Sequence, residues 1–257
     1  MMSDAEKRYT SDIAAALASA IRGKCEGKRV AVPFSGGIDS SLVAFLLKPF
    51  ASEVRLYVVG TGNHSPDIEA AHKAAEFIGL PIEDVIVSEN EIETAAKEVE
   101  SIIKSASGFP SILQISFELP LYFAARAAAA GGYNFLATGQ GADELFGGYS
   151  RYSAMSIEEF AKSSNYDSMK LKESGINIDK AVAAKFGAEL FCPFLEDGVF
   201  SLARNIPPEL KIKDGVRKHI LRAAAASLGL PEEISQRKKK AAQYGSGIMK
   251  VLERLQK

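Results

Sequence analysis

The chain predicts an α/β fold: a doubly wound parallel sheet followed by a helical C-terminal region. Short apolar runs at 30–34 (VAVPF), 54–59 (VRLYVV) and 82–87 (IEDVIV) are separated by helical patterns of the length a parallel crossover needs. A fourth run, FLAT at 135–138, ends in a glycine-containing turn. Beyond about residue 150 strand signals fade, and segments at 179–190, 216–228 and 246–256 carry helical spacing.

Taken in order, Ile13, Ala16, Leu17, Ala20 and Ile21 form an apolar stripe over 10–22, with Thr10 and Ser11 as candidate caps. The first strand runs into SGGIDSS and a helix carrying Leu42, Val43 and Leu46. Ser65 and Pro66 sit where a cap and first helical residue belong, ahead of Ile68, Ala71, Ala75 and Ile78. A further helix is expected from Asn90 through Ile103, and an alanine-rich one over 115–130. No Gly/Ser-rich linker divides the chain, so 1–257 reads as one domain: an N-terminal helix within 1–28, a nucleotide-binding core over 29–150 and a helical region over 151–257.

Charge and cysteine content narrow the function classes. With 31 basic and 32 acidic residues the net charge is −1, which gives no global pull toward nucleic acid or membrane. Cys25 and Cys192 belong to no C-x-x-C pair, so neither a zinc site nor a disulfide framework is indicated. No leader or spanning segment is visible, and the expected setting is reducing and cytoplasmic. His64, His72 and His219 lack metal-ligand spacing, and Tyr149 and Tyr152 read as packing residues.

Parallel sheets bind ligands at the carboxyl ends of their strands, where helix N-termini present free N–H groups. Ser35, Gly36, Gly37, Asp39 and Ser40 fall there: glycine lets backbone approach an anion and serine adds donors. The loop is not a Walker A motif, because no lysine follows the glycines, and it is not G-x-G-x-x-G. By itself the string is equally a strand-to-helix turn.

The complete string SGGIDSS resembles the PP-loop of the N-type ATP pyrophosphatases, and TGQGADELFGGYSRY at 138–152 is similar to the (S/T)GEGADELFGGY signature of the asparagine synthetase synthetase domain. Similarity continues through VVGTGNHSPDIEAA, ELFCPFLEDGVFSLARNIPPELK, RKHILR and LPEEISQRKKKAAQYGSG, and so covers nearly the whole chain from about residue 28. The resemblance implies an adenine nucleotide alpha hydrolase-like sheet and an ATP-dependent amide ligase. Such an enzyme adenylates a carboxylate, aspartate by default, and releases AMP and pyrophosphate. It further implies ATP bound by Phe34, Ser35, Gly36, Gly37, Asp39, Ser40, Val59, Thr138 and Gly139, magnesium held by Asp39 and Asp143, and catalytic roles for Lys239, Lys218 and Gln140. Fixed donors and a divalent cation would meet the charge that builds on the leaving pyrophosphate.

Two departures stand out. About thirty residues precede the first strand, beginning Met1-Met2-Ser3, so the expectation is a stand-alone form without a glutaminase domain. Its partners would be a small carboxylate and ammonia or an amine, with a separate glutaminase subunit and a homodimer left open. Gln140 stands where the signature has Glu, and an amide can neither act as general base nor offer a charge to an ammonium ion. Glu118 of SFELPLY, ahead of the fourth strand, is a candidate replacement carboxylate. Two other readings remain beside the ligase: a PP-loop enzyme modifying tRNA, against which near-neutral charge argues, and a non-catalytic nucleotide-binding subunit.

Overall fold

The computed structural model describes residues 2–62, 66–107, 110–237 and 242–255. Five strands form one parallel sheet in the order β3-β2-β1-β4-β5: β1 (Arg29–Pro33), β2 (Glu53–Gly60), β3 (Ile82–Ile86), β4 (Phe135–Ala137) and β5 (Glu189–Phe191). The first three run outward to one edge and the last two to the other, so strand order reverses between β1 and β4. That reversal is the position at which open α/β sheets form their binding crevice.

Helices cover both faces. In chain order they are α1 (Asp4–Cys25), α2 (Ile38–Leu47), α3 (Pro66–Ile78), α4 (Glu89–Ser107), α5 (Ile112–Ala130) and the short α6 (Ala142–Phe146). Then come α7 (Ile157–Lys170), α8 (Ile176–Ala184), α9 (Asp197–Arg204), α10 (Pro208–Lys211), α11 (His219–Ser227), α12 (Glu232–Ser235), α13 (Ala242–Gly245) and α14 (Ile248–Leu255). Val30, Ala31, Val32, Leu56 and Leu136 on the central strands are fully buried, as expected of strands covered on both sides. The helix α1 lays Ile13, Leu17 and Ile21 into the core and packs on α11, α9 and α2.

The structure corrects several boundaries. Thr10 and Ser11 do not cap the first helix: it starts six residues earlier at Asp4, where Ser3 accepts from the Glu6 N–H and the Glu6 carboxylate accepts from the Ser3 N–H. This reciprocal pair satisfies two of the free donors at the helix start, and Thr10 lies buried inside the helix. The helix expected over 179–190 stops at Ala184, and Glu189–Phe191 pairs with β4 as a fifth strand. Three residues are too few to show a period, and the ladder with β4 supplies what the local pattern lacks.

The segment expected to be helical from 216 begins instead with a hairpin, Ile212–Lys213 (β6) against Val216–Arg217 (β7). Its two turn residues, Asp214 and Gly215, have φ of 50° and 73°, the conformation a type I′ hairpin demands. The hairpin ends one residue before Lys218. Among the described residues, no helix is long and apolar enough to cross a membrane.

Glu6 has a second role. It is 2% exposed and receives Lys213 Nζ at 2.7 Å and His219 Nε2 at 3.1 Å, tying α1 to the hairpin and to α11. The Lys213 ammonium, then the Ser3 N–H, hold its carboxyl down at about 2 against the opposing effect of burial. A carboxyl depressed on folding stabilises the native state above its unfolded pKa, and that contribution disappears as pH falls through the folded value. Glu6→Gln is therefore expected to lower the thermal midpoint at neutral pH, and the gap to the parent chain should close between about pH 4.5 and pH 2. A constant gap across that window, measured by circular dichroism melts, would refute the assignment.

Candidate active site at the strand reversal

Two loops leave the sheet side by side. The first follows β1, whose ladder is extended by Phe34 N–H donating to Tyr57 O at 2.7 Å. Gly36 adopts φ 62°, and a Cβ there would lie 2.6 Å from Ala70 O, so only glycine fits against α3. Gly37 is the N-cap of α2 and provides no side-chain cap, which leaves the first N–H groups of that helix unsatisfied by a capping side chain. The hydroxyls of Ser35 and Ser40 lie 3.3 Å apart at the same turn. Such a loop presents backbone N–H groups and hydroxyls to an anion.

The second loop follows β4, where Thr138 N–H donates to Phe191 O at 3.0 Å. It crosses directly over the first. A Cβ on Gly139 would lie 2.6 Å from Asp39 Cβ, so the absence of a side chain sets how closely the loops approach. Val59, at the end of β2, and Phe34 are buried beside them, and the Thr138 hydroxyl lies 3.3 Å from Cys192 Sγ.

Lys218 joins the two loops. Its Nζ donates to both oxygens of Asp39 at 2.7 Å and lies 2.8 Å from Asp143 Oδ1. The residue is 6% exposed and holds φ 57° at the N-cap of α11, a backbone region that side chains rarely adopt. Burial pulls its ammonium pKa down, but the Asp143 and Asp39 carboxylates outweigh burial and the net direction is up. Gly148 completes the arrangement, because a Cβ there would overlap the Asp143 carboxylate and the Lys218 chain.

Asp39 and Asp143 thus meet at the Lys218 ammonium, and as two hard oxygen donors they are of a kind that could hold magnesium together with phosphate oxygens. Among the described residues, no group of three or more His, Cys, Asp or Glu gathers as a metal cage. Next along the loop, the buried Glu144 carboxyl is pushed up to about 7 by burial, although the Tyr149 hydroxyl donates to it at 2.5 Å and opposes the shift.

Gln140 is exposed, while Asp179 on α8 is buried and Glu118 on α5 half-buried, with burial pushing both of those carboxyls up. Lys239 lies outside the described residues, as do His64 and Ser65. His72 pairs with Asp84 at 2.7 Å, and Tyr152 is buried with its hydroxyl on Asp167, so both serve packing and surface contacts.

Three residues here escaped sequence reasoning. Arg237 opens the basic run, yet its guanidinium donates to Ser35 O at 2.9 Å and to the buried Asp67 at 2.8 Å, fastening the first loop to α3. Asp67 belongs to the quoted SPD segment, which was a usable signal. Asp179 offered none, since a single aspartate in a helical stretch is ordinarily a solvated residue.

Lys218→Met would leave Asp39 and Asp143 facing each other without the cation between them. The expected loss is about 2 kcal/mol in metal-free buffer, moderated because the carboxylates keep some contact with water. Millimolar Mg2+ should recover part of it in the variant and shift the parent chain less. Equal responses to Mg2+ in thermal melts would count against a cation site between the two carboxylates.

The family model described as asparagine synthase matches residues 12–180 and 175–257. A protein of Methanocaldococcus jannaschii, named as a putative glutamine-hydrolysing asparagine synthetase 1, is 34% identical over 265 aligned residues, covering 89% of this chain and 48% of its own length. The glutamine-hydrolysing asparagine synthetase of Gallus gallus is 32% identical over 238 residues, covering 87% of this chain and 40% of its own. The chain therefore spans about half or less of the length of these curated relatives. A solved structure of NMN synthetase from Francisella tularensis superposes with a TM-score of 0.46 at 15% identity, covering 100% of this chain and 87% of that one. With one model matching almost from end to end and carrying both loops that meet at Lys218, the chain belongs to the asparagine synthase family.

Proposed function

We propose that this chain is an ATP-dependent amide ligase that activates a carboxylate by adenylation. The observation that carries the reading is the meeting of Asp39, Asp143 and Lys218 beside the uncapped start of α2, at the strand reversal of a parallel sheet. In the first step a carboxylate oxygen attacks the α-phosphorus of ATP, the bond to the bridging oxygen breaks, and pyrophosphate leaves with the electron pair. In the second, ammonia or an amine attacks the acyl carbon, AMP departs and one proton is released. Aspartate with ammonia, giving asparagine, is the default pair.

In this reading Ser35, Gly36, Gly37 and Ser40 hold the leaving pyrophosphate with backbone N–H groups and hydroxyls. Phe34, Val59, Thr138 and Gly139 border the nucleotide. Asp39 and Asp143 would hold magnesium, which supplies neutralisation of the phosphate charge. In the same reading Lys218, whose ammonium contacts both Asp39 and Asp143, would keep those carboxylates together and neutralise phosphate charge, and Lys239 is assigned a second cationic role from its place in QRKKK. Arg237 keeps the loop backbone in register. The nitrogen reaches the site as free ammonia, as an amine or from a separate glutaminase subunit.

The test is exchange of labelled pyrophosphate into ATP across a panel of carboxylates, followed by mass detection of the product with and without ammonia. Exchange that needs Mg2+ and a carboxylate, aspartate first, is the expected outcome. Asp39→Asn and Asp143→Asn should each lower it about a hundredfold or more. No exchange with any carboxylate would sink the reading, and exchange seen only with tRNA present would transfer the activity to base adenylation.

A further inference from the structure

One guanidinium holds two separate parts of the chain around the first loop. Arg237 Nη1 donates to Ser35 O at 2.9 Å, and Nη2 donates to Asp67 Oδ1 at 2.8 Å. Asp67 stands in the first turn of α3 and is 5% exposed, and a Cβ on Gly245 of α13 would overlap its other oxygen, Oδ2. The backbone beside it is tied down as well: Thr61 N–H donates to Ser246 O at 2.9 Å, and a Cβ on Gly247 would lie 2.4 Å from Thr61 Oγ1. The carboxylate is thus held between α3 and α13, and it holds the guanidinium in turn.

The captured Ser35 carbonyl sets the direction of the next N–H. In a planar trans peptide the C=O and the following N–H point in opposite directions, so a carbonyl held toward Arg237 turns the Gly36 N–H away from it. Glycine by itself would not keep that plane, because φ of either sign is open to it. Gly36 takes φ 62° against Ala70 and Ala71 of α3, where a side chain has no room. Sterics admit the residue there, and the hydrogen bond from Arg237 selects which way its N–H faces.

We propose that Asp67 and Arg237 are a positioning pair for the first loop: Asp67 holds the guanidinium, the guanidinium holds the Ser35 carbonyl, and the Gly36 N–H is thereby kept facing a diphosphate bound at the start of α2. Neither side chain touches that ligand. The pair serves the diphosphate end of the site alone, since Val59 and Thr138, which border the nucleoside end, are held by the sheet ladder instead. The proposal rests on the ligase reading, which puts pyrophosphate at this loop.

The test uses the full chain with Mg2+ and measures the binding of inorganic pyrophosphate and of AMP separately by calorimetry. The KM values for pyrophosphate and aspartate in ATP–pyrophosphate exchange are read beside them. Arg237→Lys keeps a cation for Asp67 but loses the fork that reaches two acceptors at once. Its affinity for pyrophosphate is expected to fall about tenfold, the worth of one charge-assisted hydrogen bond, with a matching rise in the KM for pyrophosphate. AMP affinity and the KM for aspartate should change less than about threefold. Asp67→Asn retains an oxygen acceptor for Arg237 and should be milder than Asp67→Ala. Arg237→Lys combined with Asp67→Ala should weaken pyrophosphate binding little more than the stronger single variant, because both act through the same carbonyl.

Equal losses of pyrophosphate and AMP would reduce the pair to a general strut and overturn the proposal. Parent-like pyrophosphate binding in Arg237→Lys would overturn it too, as would additive losses in the double variant. Should circular dichroism show Asp67→Ala unfolded, the comparison of Arg237→Lys and Asp67→Asn with the parent decides. If the parent chain binds no pyrophosphate and shows no exchange with any carboxylate, the ligase reading falls first and this inference falls with it; intact exchange with equal losses of both ligands defeats the inference alone.

Discussion

The arrangement at the mouth of the sheet depends on one ammonium group. Lys218 reaches Asp39 and Asp143 from a third part of the chain. Three features of its placement are unfavourable in isolation. It is buried, it takes a left-handed backbone conformation that costs about 1–3 kcal/mol for a side-chain-bearing residue, and it puts a cation at the positive end of a helix. Two carboxylates that both touch one nitrogen are themselves within about 6 Å, and at an effective dielectric of about 20 their repulsion is near 3 kcal/mol. The ammonium meets that repulsion with two attractive contacts, and its pKa shifts up in spite of burial, so the carboxylates outweigh its desolvation. A residue kept in such a position against its local preferences marks a site where charge is handled.

The elements around Lys218 follow from the need to deliver it. The Asp214-Gly215 turn reverses the chain within two residues, and Glu6 anchors the hairpin through Lys213 and α11 through His219. The long N-terminal helix thus works on the site at a distance: Ser3 caps it, Glu6 emerges from that same first turn, and the carboxylate that completes the cap also fixes the hairpin. Gly139 and Gly148 do the complementary work of removing side chains from places where the loops and the lysine must fit.

Much of this was legible in the residues, for physical reasons that also mark where legibility ended. The largely buried strands β1, β2 and β4 read as apolar runs, and the edge strand β3, with Glu83, Asp84 and Ile86 exposed, was visible from its β-branched residues, so all four were legible at nearly their observed bounds. Gly36, Gly37 and Asp39 stood out because the tight turn from β1 into α2, pressed against α3, calls for glycine in that order, and together with the later TGQGADELFGGY segment they marked the site. The Ser3-x-x-Glu6 cap and the Asp-Gly turn were equally readable local signals, outweighed by the helical stripes behind them. By contrast β5 is three residues long and exists because β4 offers it a ladder. The contacts of Arg237 with Ser35 and Asp67 span most of the chain, and no local pattern announces them.

Gln140 shows most clearly what the third dimension adds. In the linear pattern it is a lost carboxylate, and the natural remedy is to look for another nearby in sequence, which points to Glu118. In the fold Glu118 lies half-buried on α5 near Asp179 on α8, and burial pushes both carboxyls upward. A carboxyl driven toward its neutral form by burial is a poor substitute for the charge that a glutamate on the exposed loop would carry. The linear remedy therefore fails for a physical reason: the nearest carboxylate in sequence sits where the fold disfavours its ionised form, while the exposed Gln140 keeps only the hydrogen-bonding capacity of an amide.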